Sequence, residues 1–93
     1  MDRMAFETEL RDQGYAELVD RRMAANAVNP EHAHEFDARL LVLEGAMTIT
    51  SAGEERTYRA GETFAMTAGC RHTERGGAEG ARYLAGRRHQ AAG

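Results

Sequence analysis

Three histidines carry the strongest chemical signal in this chain. His32 and His34 form a His-x-His pair, and His72 follows forty positions after the first. On an extended chain, residues i and i+2 project to the same face, so both imidazoles of the pair point to one side. If the sheet closes into a barrel, His72 reaches the same interior from another turn. Three neutral imidazoles converging on one point make a site for a divalent transition metal, with metal–nitrogen distances near ~2.0–2.1 Å. Glu74 lies two residues past His72 and shares its face, which makes it the best carboxylate to support or join such a site. Cys70 sits two residues before His72 on the preceding turn, where a structural thiol is the commoner role than a soft ligand. The fourth histidine, His89, lies among arginines near the end of the chain and reads as solvated.

Short strands must position these residues. A first helix spans roughly Asp2 to Gln13, with Phe6 and Leu10 on one face and Gly14 as its stop. Tyr15–Ala24 reads as a strand. Leu40–Leu43 is apolar on both faces, Gly45 punctuates it, and Met47–Thr50 alternates. Ser51–Glu54 is a turn, Glu55–Arg59 the hairpin partner, and Glu62–Thr67 the next strand. His72–Arg75 is extended, Gly76–Gly77 breaks it, and Ala81–Ala85 is the last strand. Turns every eight to twelve residues argue for an all-β sandwich or barrel. The expected organisation is residues 1–14 as a helix packed on the barrel, 15–86 as one barrel, and 87–93 as a frayed tail. Leu41 and Leu43 face away from an interior lined by Leu40 and Val42, so their side needs a cover. The helix or a second subunit can supply it.

Composition narrows the function. The chain has 93 residues, 12 basic and 15 acidic, for a net charge of -3. Every basic residue is arginine, so a lysine Schiff base is excluded. A mildly acidic chain is a poor match for nucleic acid or an anionic membrane. Its longest apolar run is far short of the ~20 residues that span a bilayer. No apolar signal core follows the N-terminus, so the expected compartment is the cytoplasm. Cys70 has no partner cysteine, which rules out a disulfide within the chain.

The two histidine segments resemble the two motifs of the cupin family. The first runs from His32-Ala33-His34 through Ala38 to Gly45, and the second from Gly61 through Gly69 to His72. The resemblance covers about Pro30 to His72 directly. It implies a mainly β, cupin-type jelly-roll barrel with a short N-terminal helix, a metal held by His32, His34 and His72, and pairing as a homodimer. Two positions depart from the family pattern. Thr67 stands where a proline is usual, and Ala38 stands where a metal-ligating glutamate is usual. The resemblance therefore implies a three-histidine site for iron, nickel, zinc or manganese, or no metal at all.

Three neutral ligands leave the ion's double charge in the pocket, which favours an anionic ligand, hydroxide or thiolate. Glu35 and Asp37 have the wrong parity to replace the missing carboxylate, and Glu44 lies ten residues beyond His34. Arg39, Arg71 and Tyr83 are candidates to touch an anion, although surface solvation is the ordinary role of such arginines. The expected function is a metal-dependent oxygenase or isomerase acting on a small organic acid or thiol. The competing expectation is a barrel that binds or senses a small molecule without turnover, with or without metal.

Overall fold

The computed structural model describes residues 1–89. The chain begins with α1 (Arg3–Asp12) and continues through β1 (Glu17–Met23), β2 (Val28–His32), β3 (Phe36–Ser51), β4 (Glu54–Arg59), β5 (Thr63–Met66) and β6 (His72–His89). Asp2 caps the helix by accepting a 2.9 Å hydrogen bond from the Ala5 N–H. Gly14 ends it in the left-handed region, at φ +82°.

Two long strands organise everything else. β3 and β6 pair antiparallel along most of their length. The outer edge of β3 takes β5 against its first half and β4 against its second. The outer edge of β6 takes β2 near its start and β1 near its end. The sheet thus folds into two four-stranded halves, β5–β3–β6–β1 and β4–β3–β6–β2, that share both long strands. Leu40, Val42, Phe64, Tyr83 and Ala85 from one half pack with Met47 and Ile49 from the other. Tyr58 of β4 stacks on Phe64 of β5 with ring centroids 4.4 Å apart. This is a jelly-roll arrangement, but the sheet does not close: among the described residues, β1 and β4 end the hydrogen-bonded path.

The corner between the halves depends on glycine. Gly45 and Gly80 both have positive φ, at 72° and 77°, and they face one another across β3 and β6. A Cβ on Gly45 would fall on the Gly80 carbonyl oxygen. The β3–β6 register shifts at two places around Gly45. These irregularities change which alternate residues face inward: Leu40 and Val42 before the corner, Met47 and Ile49 after it.

Three expectations need correction. β3 is one strand across Gly45, not two. β6 is likewise continuous, because Gly76 and Gly77 bend the strand where a Cβ would crowd Ala24 and Ala46, without ending it. Arg87, Arg88 and His89 are not a frayed tail. They belong to β6 and pair with Ala38, Asp37 and Phe36; the remainder of that segment, 90–93, lies outside the described residues.

The helix covers the outer side of the long strands. Phe6 and Leu10 are fully buried and pack with Tyr15, Leu41 and Leu84, with Leu43 at the margin. Burial of side chains this size stabilises by about 1.5–3 kcal/mol each. Gly86 lets the helix approach, since a Cβ there would meet the Leu10 side chain at 2.7 Å. The apolar outer side of Leu41 is therefore covered from within the chain.

Candidate metal centre

The pairing of β2 with β6 builds the site. His32 ends β2 directly opposite His72 at the start of β6, and Asn29 pairs with Glu74. The register shifts between Asn29 and His32. His34 follows in the connection to β3, and its ring stacks on Phe36 at 4.6 Å. The backbone there is tied to the second motif's turn, because the Gly69 N–H donates to the His34 carbonyl at 2.9 Å. The ring of His32 lies 4.8 Å from that of His34 and 4.3 Å from that of His72. One ligand nitrogen from each histidine lies within 4.8 Å of the others.

Backbone carbonyls set the orientation of two rings. His32 Nδ1 is 2.7 Å from the Pro30 carbonyl oxygen, and His72 Nδ1 is 3.1 Å from that of Cys70. A carbonyl only accepts, so both Nδ1 atoms carry the proton, and each neutral ring keeps a lone pair on Nε2. This is the arrangement a metal-ligating histidine needs. His72 is 1% exposed, and its Nε2 is a buried side-chain nitrogen with no hydrogen-bond partner. Such an atom costs about 1–3 kcal/mol when left unsatisfied. The donor set fits a divalent transition metal, and the buried, unpartnered Nε2 is placed as one of its ligand atoms. Burial pushes the His34 imidazole below its ordinary pKa, and the neighbouring His32 and His72 rings push the same way. A lowered value keeps the ring in the neutral, ligating form.

His32 and His34 line a cavity of about 480 Å³, and His72 lies buried behind them. Its apolar wall includes Val19, Phe36, Leu40 and Met66, and its polar groups include Asn29, Glu74, Tyr83, Arg21 and Arg87. Burial raises the Tyr83 hydroxyl pKa, and Glu74 adds to the rise. Arg87 lies 4.9 Å over the Phe36 ring and pairs with Glu17 at 3.1 Å.

Most candidates from the sequence fall where parity places them. Glu35 is exposed. Asp37 accepts from the Ala68 N–H at 2.8 Å and from Arg88 at 3.0 Å, away from the histidines. The Ala68 hydrogen bond and Arg88 hold its carboxyl below the usual range. Glu44 pairs with Arg82 on the outer side. Ala38 lines the cavity with a methyl group. Cys70 sends its thiol toward Ser51 Oγ, 3.4 Å away, while its carbonyl orients His72. Arg39 turns outward to Glu9, and Arg71 pairs with Glu31. Of the three anion-contact candidates, only Tyr83 reaches the cavity. Arg21 and Asn29 went unremarked in the sequence; strand parity with Val19 and Met23 is the signal for Arg21. Arg87 was hidden in the supposed tail. His89 is exposed and pairs with Glu17 at 2.8 Å.

Comparison with known proteins decides the family. The family model described as a cupin domain matches residues 20–85. The chain belongs to the cupin family. A structural-genomics protein of unknown function from Rhizobium leguminosarum bv. viciae is similar to this cupin at 26% identity and a TM-score of 0.74, covering 78% of this chain and 69% of that one. A cupin 2 conserved barrel domain protein from Salinispora arenicola shares the fold at 22% identity and a TM-score of 0.71, over 81% of this chain and 63% of that one. KdgF from a Halomonas species shares it at 21% identity and a TM-score of 0.66, over 78% and 68%. No curated protein matches this cupin. Among the described residues, no helix is long and apolar enough to cross a membrane.

Proposed function

We propose that this cupin binds one divalent transition metal (iron, nickel, zinc or manganese) through His32, His34 and His72, and is a metal-dependent enzyme of the oxygenase or isomerase type acting on a small organic acid. The observation that carries the reading is the His72 Nε2 atom, buried without a partner and aimed at two more imidazoles. When bound, the ion supplies Lewis-acid or redox chemistry at the cavity floor. The chain's own residues do the rest. Pro30 and Cys70 carbonyls hold two imidazoles in the ligating tautomer. The apolar wall excludes water from one side of the cavity. Arg21 and Arg87 offer guanidinium groups to an anionic substrate, and planar guanidinium matches a carboxylate in two parallel hydrogen bonds.

Metal analysis of the purified protein, followed by titration with each of the four metals, tests the reading. One ion per chain is expected, and His72→Ala is expected to abolish uptake. A wild-type protein that takes up none of the four refutes the proposal. Binding without turnover is the second reading, supported by Ala38, which gives β3 no ligating side chain at the cavity. Thermal shift with metal plus a panel of small carboxylates, against an assay for their conversion, separates the two. The proposal also includes assembly as a homodimer, supported by partly exposed Leu18 on β1 and exposed Val28 on β2. A dimeric mass by light scattering at micromolar concentration is expected, and a monomeric mass refutes it.

A further inference from the structure

The carboxylate nearest the histidines is Glu74, from β6. It is 7% exposed, and it projects from the same side of β6 as His72, two residues away. Its Oε1 accepts a 3.0 Å hydrogen bond from Asn29 Nδ2 and lies 3.6 Å from His32 Nε2. Its Oε2 lies 3.8 Å from His72 Nε2. In the neutral rings both nitrogens carry lone pairs, because each Nδ1–H donates to the Pro30 or Cys70 carbonyl. Lone pairs on two nitrogens and two oxygens therefore face one another in a buried space. A positive group between them would offset the repulsion of these lone pairs and the carboxylate charge.

A proton is the first candidate for that positive group. A protonated Nε2 would make an ion pair with Glu74 at 3.6 or 3.8 Å, separations longer than the ~2.7–3.2 Å of a hydrogen bond. A metal ion is the second. Ligand atoms each about 2.0–2.2 Å from one ion lie up to about 4 Å apart, so the 3.8 Å between Oε2 and His72 Nε2 suits two atoms sharing an ion. Asn29 strengthens this assignment. It fixes the carboxylate through one oxygen and leaves the other free to ligate.

We infer that Glu74 joins His32, His34 and His72 as a fourth, anionic ligand of the metal centre, its carboxylate lying beside His32 and His72, outside the group that the three histidine nitrogens form within 4.8 Å, and moving in when the ion binds. The inference rests on the metal-binding reading proposed above. The carboxylate enters from the strand that carries His72, in a His-x-Glu pair, while β3 contributes only the methyl of Ala38. One chemical consequence is immediate. A carboxylate cuts the net charge of a divalent centre from two to one, so a bound organic acid depends more on Arg21 and Arg87 than on the ion's charge.

Cobalt(II) serves as the probe, because its visible absorption reports the ligand set. Wild-type protein, Glu74→Gln and His72→Ala are each titrated at pH 7.5 and the affinity is read by chelator competition. Glu74→Gln keeps the shape and the Asn29 contact but removes the charge. It is expected to weaken binding by tenfold or more, with a changed cobalt spectrum. A weakened affinity with an unchanged spectrum assigns Glu74 a supporting role outside the ligand set and overturns the inference. An unchanged affinity in Glu74→Gln, with binding lost in His72→Ala, overturns it while leaving the histidine site intact. A wild type that takes up no cobalt overturns this inference, and the failure to take up iron, nickel, zinc and manganese as well sinks the metal reading beneath it. Difference infrared spectroscopy of the wild type gives a readout that needs no variant to fold. Metal addition is expected to shift a carboxylate stretch, and its absence counts against ligation.

Discussion

On the inner side, where three imidazoles and a carboxylate converge, the His72 Nε2 is buried without a hydrogen-bond partner, while on the outer side Asp20, Arg82, Glu44 and Arg3 form a matched network. Asp20 of β1 accepts from Arg82 Nε at 3.1 Å and Nη2 at 2.8 Å, and from Arg3 at 3.1 Å. Arg82 reaches on to Glu44. The Arg82 fork, with help from Arg3, lowers the Asp20 carboxyl from an ordinary 3.8 to about 2. The helix fills the rest of that side with Phe6 and Leu10. The difference separates two uses of the same strands. The outer side spends its residues on staying folded, and the inner side leaves buried nitrogen unsatisfied, which only a bound group relieves.

Four perturbations sharpen or break this division. The largest effect is expected from His72→Ala, which should weaken metal binding by about 100-fold or more, read by chelator competition. If affinity survives, the inner side is not a metal centre. Next comes Leu10→Ala, which should lower unfolding free energy by about 2–5 kcal/mol in denaturant titration and leave metal affinity alone. A parallel loss of metal affinity would mean that the two sides are not separable.

The third perturbation is pH. His34 has a lowered pKa in the folded chain, so below about 6.5 the unfolded chain binds more protons than the folded one. Stability of the metal-free protein should therefore rise with pH up to that value and flatten above it. Metal occupancy should fall as pH drops through about 6, because protons compete for the same nitrogens. Flat occupancy down to pH 4 would exclude the histidines as ligands. The smallest effect is expected from Asp20→Asn. Its contribution is present above pH 3.8 and lost as pH falls toward about 2, so the variant should differ from wild type slightly at neutral pH and not at all below pH 2. High salt should shrink the difference further, since the network is partly exposed.

Much of the site was legible because its signals are local. A His-x-His pair on an extended chain has a fixed sidedness, and the same parity argument placed Glu74 with His72 and kept Asp37 and Glu35 away. The helix was legible from Phe6, Leu10 and Gly14. What escaped depends on pairing partners far along the chain. Gly76 and Gly77 look like strand breakers, yet β6 needs them so that it can pass close to Ala24 and Ala46. Arg87 to His89 look like a polar tail, but β3 offers them backbone partners at Ala38, Asp37 and Phe36. Missing that pairing hid Arg87 from the cavity. The Asn29 amide escaped for a related reason, since its value lies in facing Glu74 across two strands.

The corner at Gly45 and Gly80 also limits how this chain can change in length. Each long strand swaps its inward-facing set there, so deleting one residue between Leu43 and Ala46 would turn Met47 and Ile49 outward and expose Tyr58's packing surface. Repair would demand a matching deletion in β6 near Gly80, plus re-registration of β4. Single-residue insertions and deletions should thus be confined to the connections at 24–27, 33–35, 52–53, 60–62 and 67–71. Of these, the last is the most consequential, because its Gly69 N–H holds the His34 carbonyl and its Cys70 carbonyl orients His72.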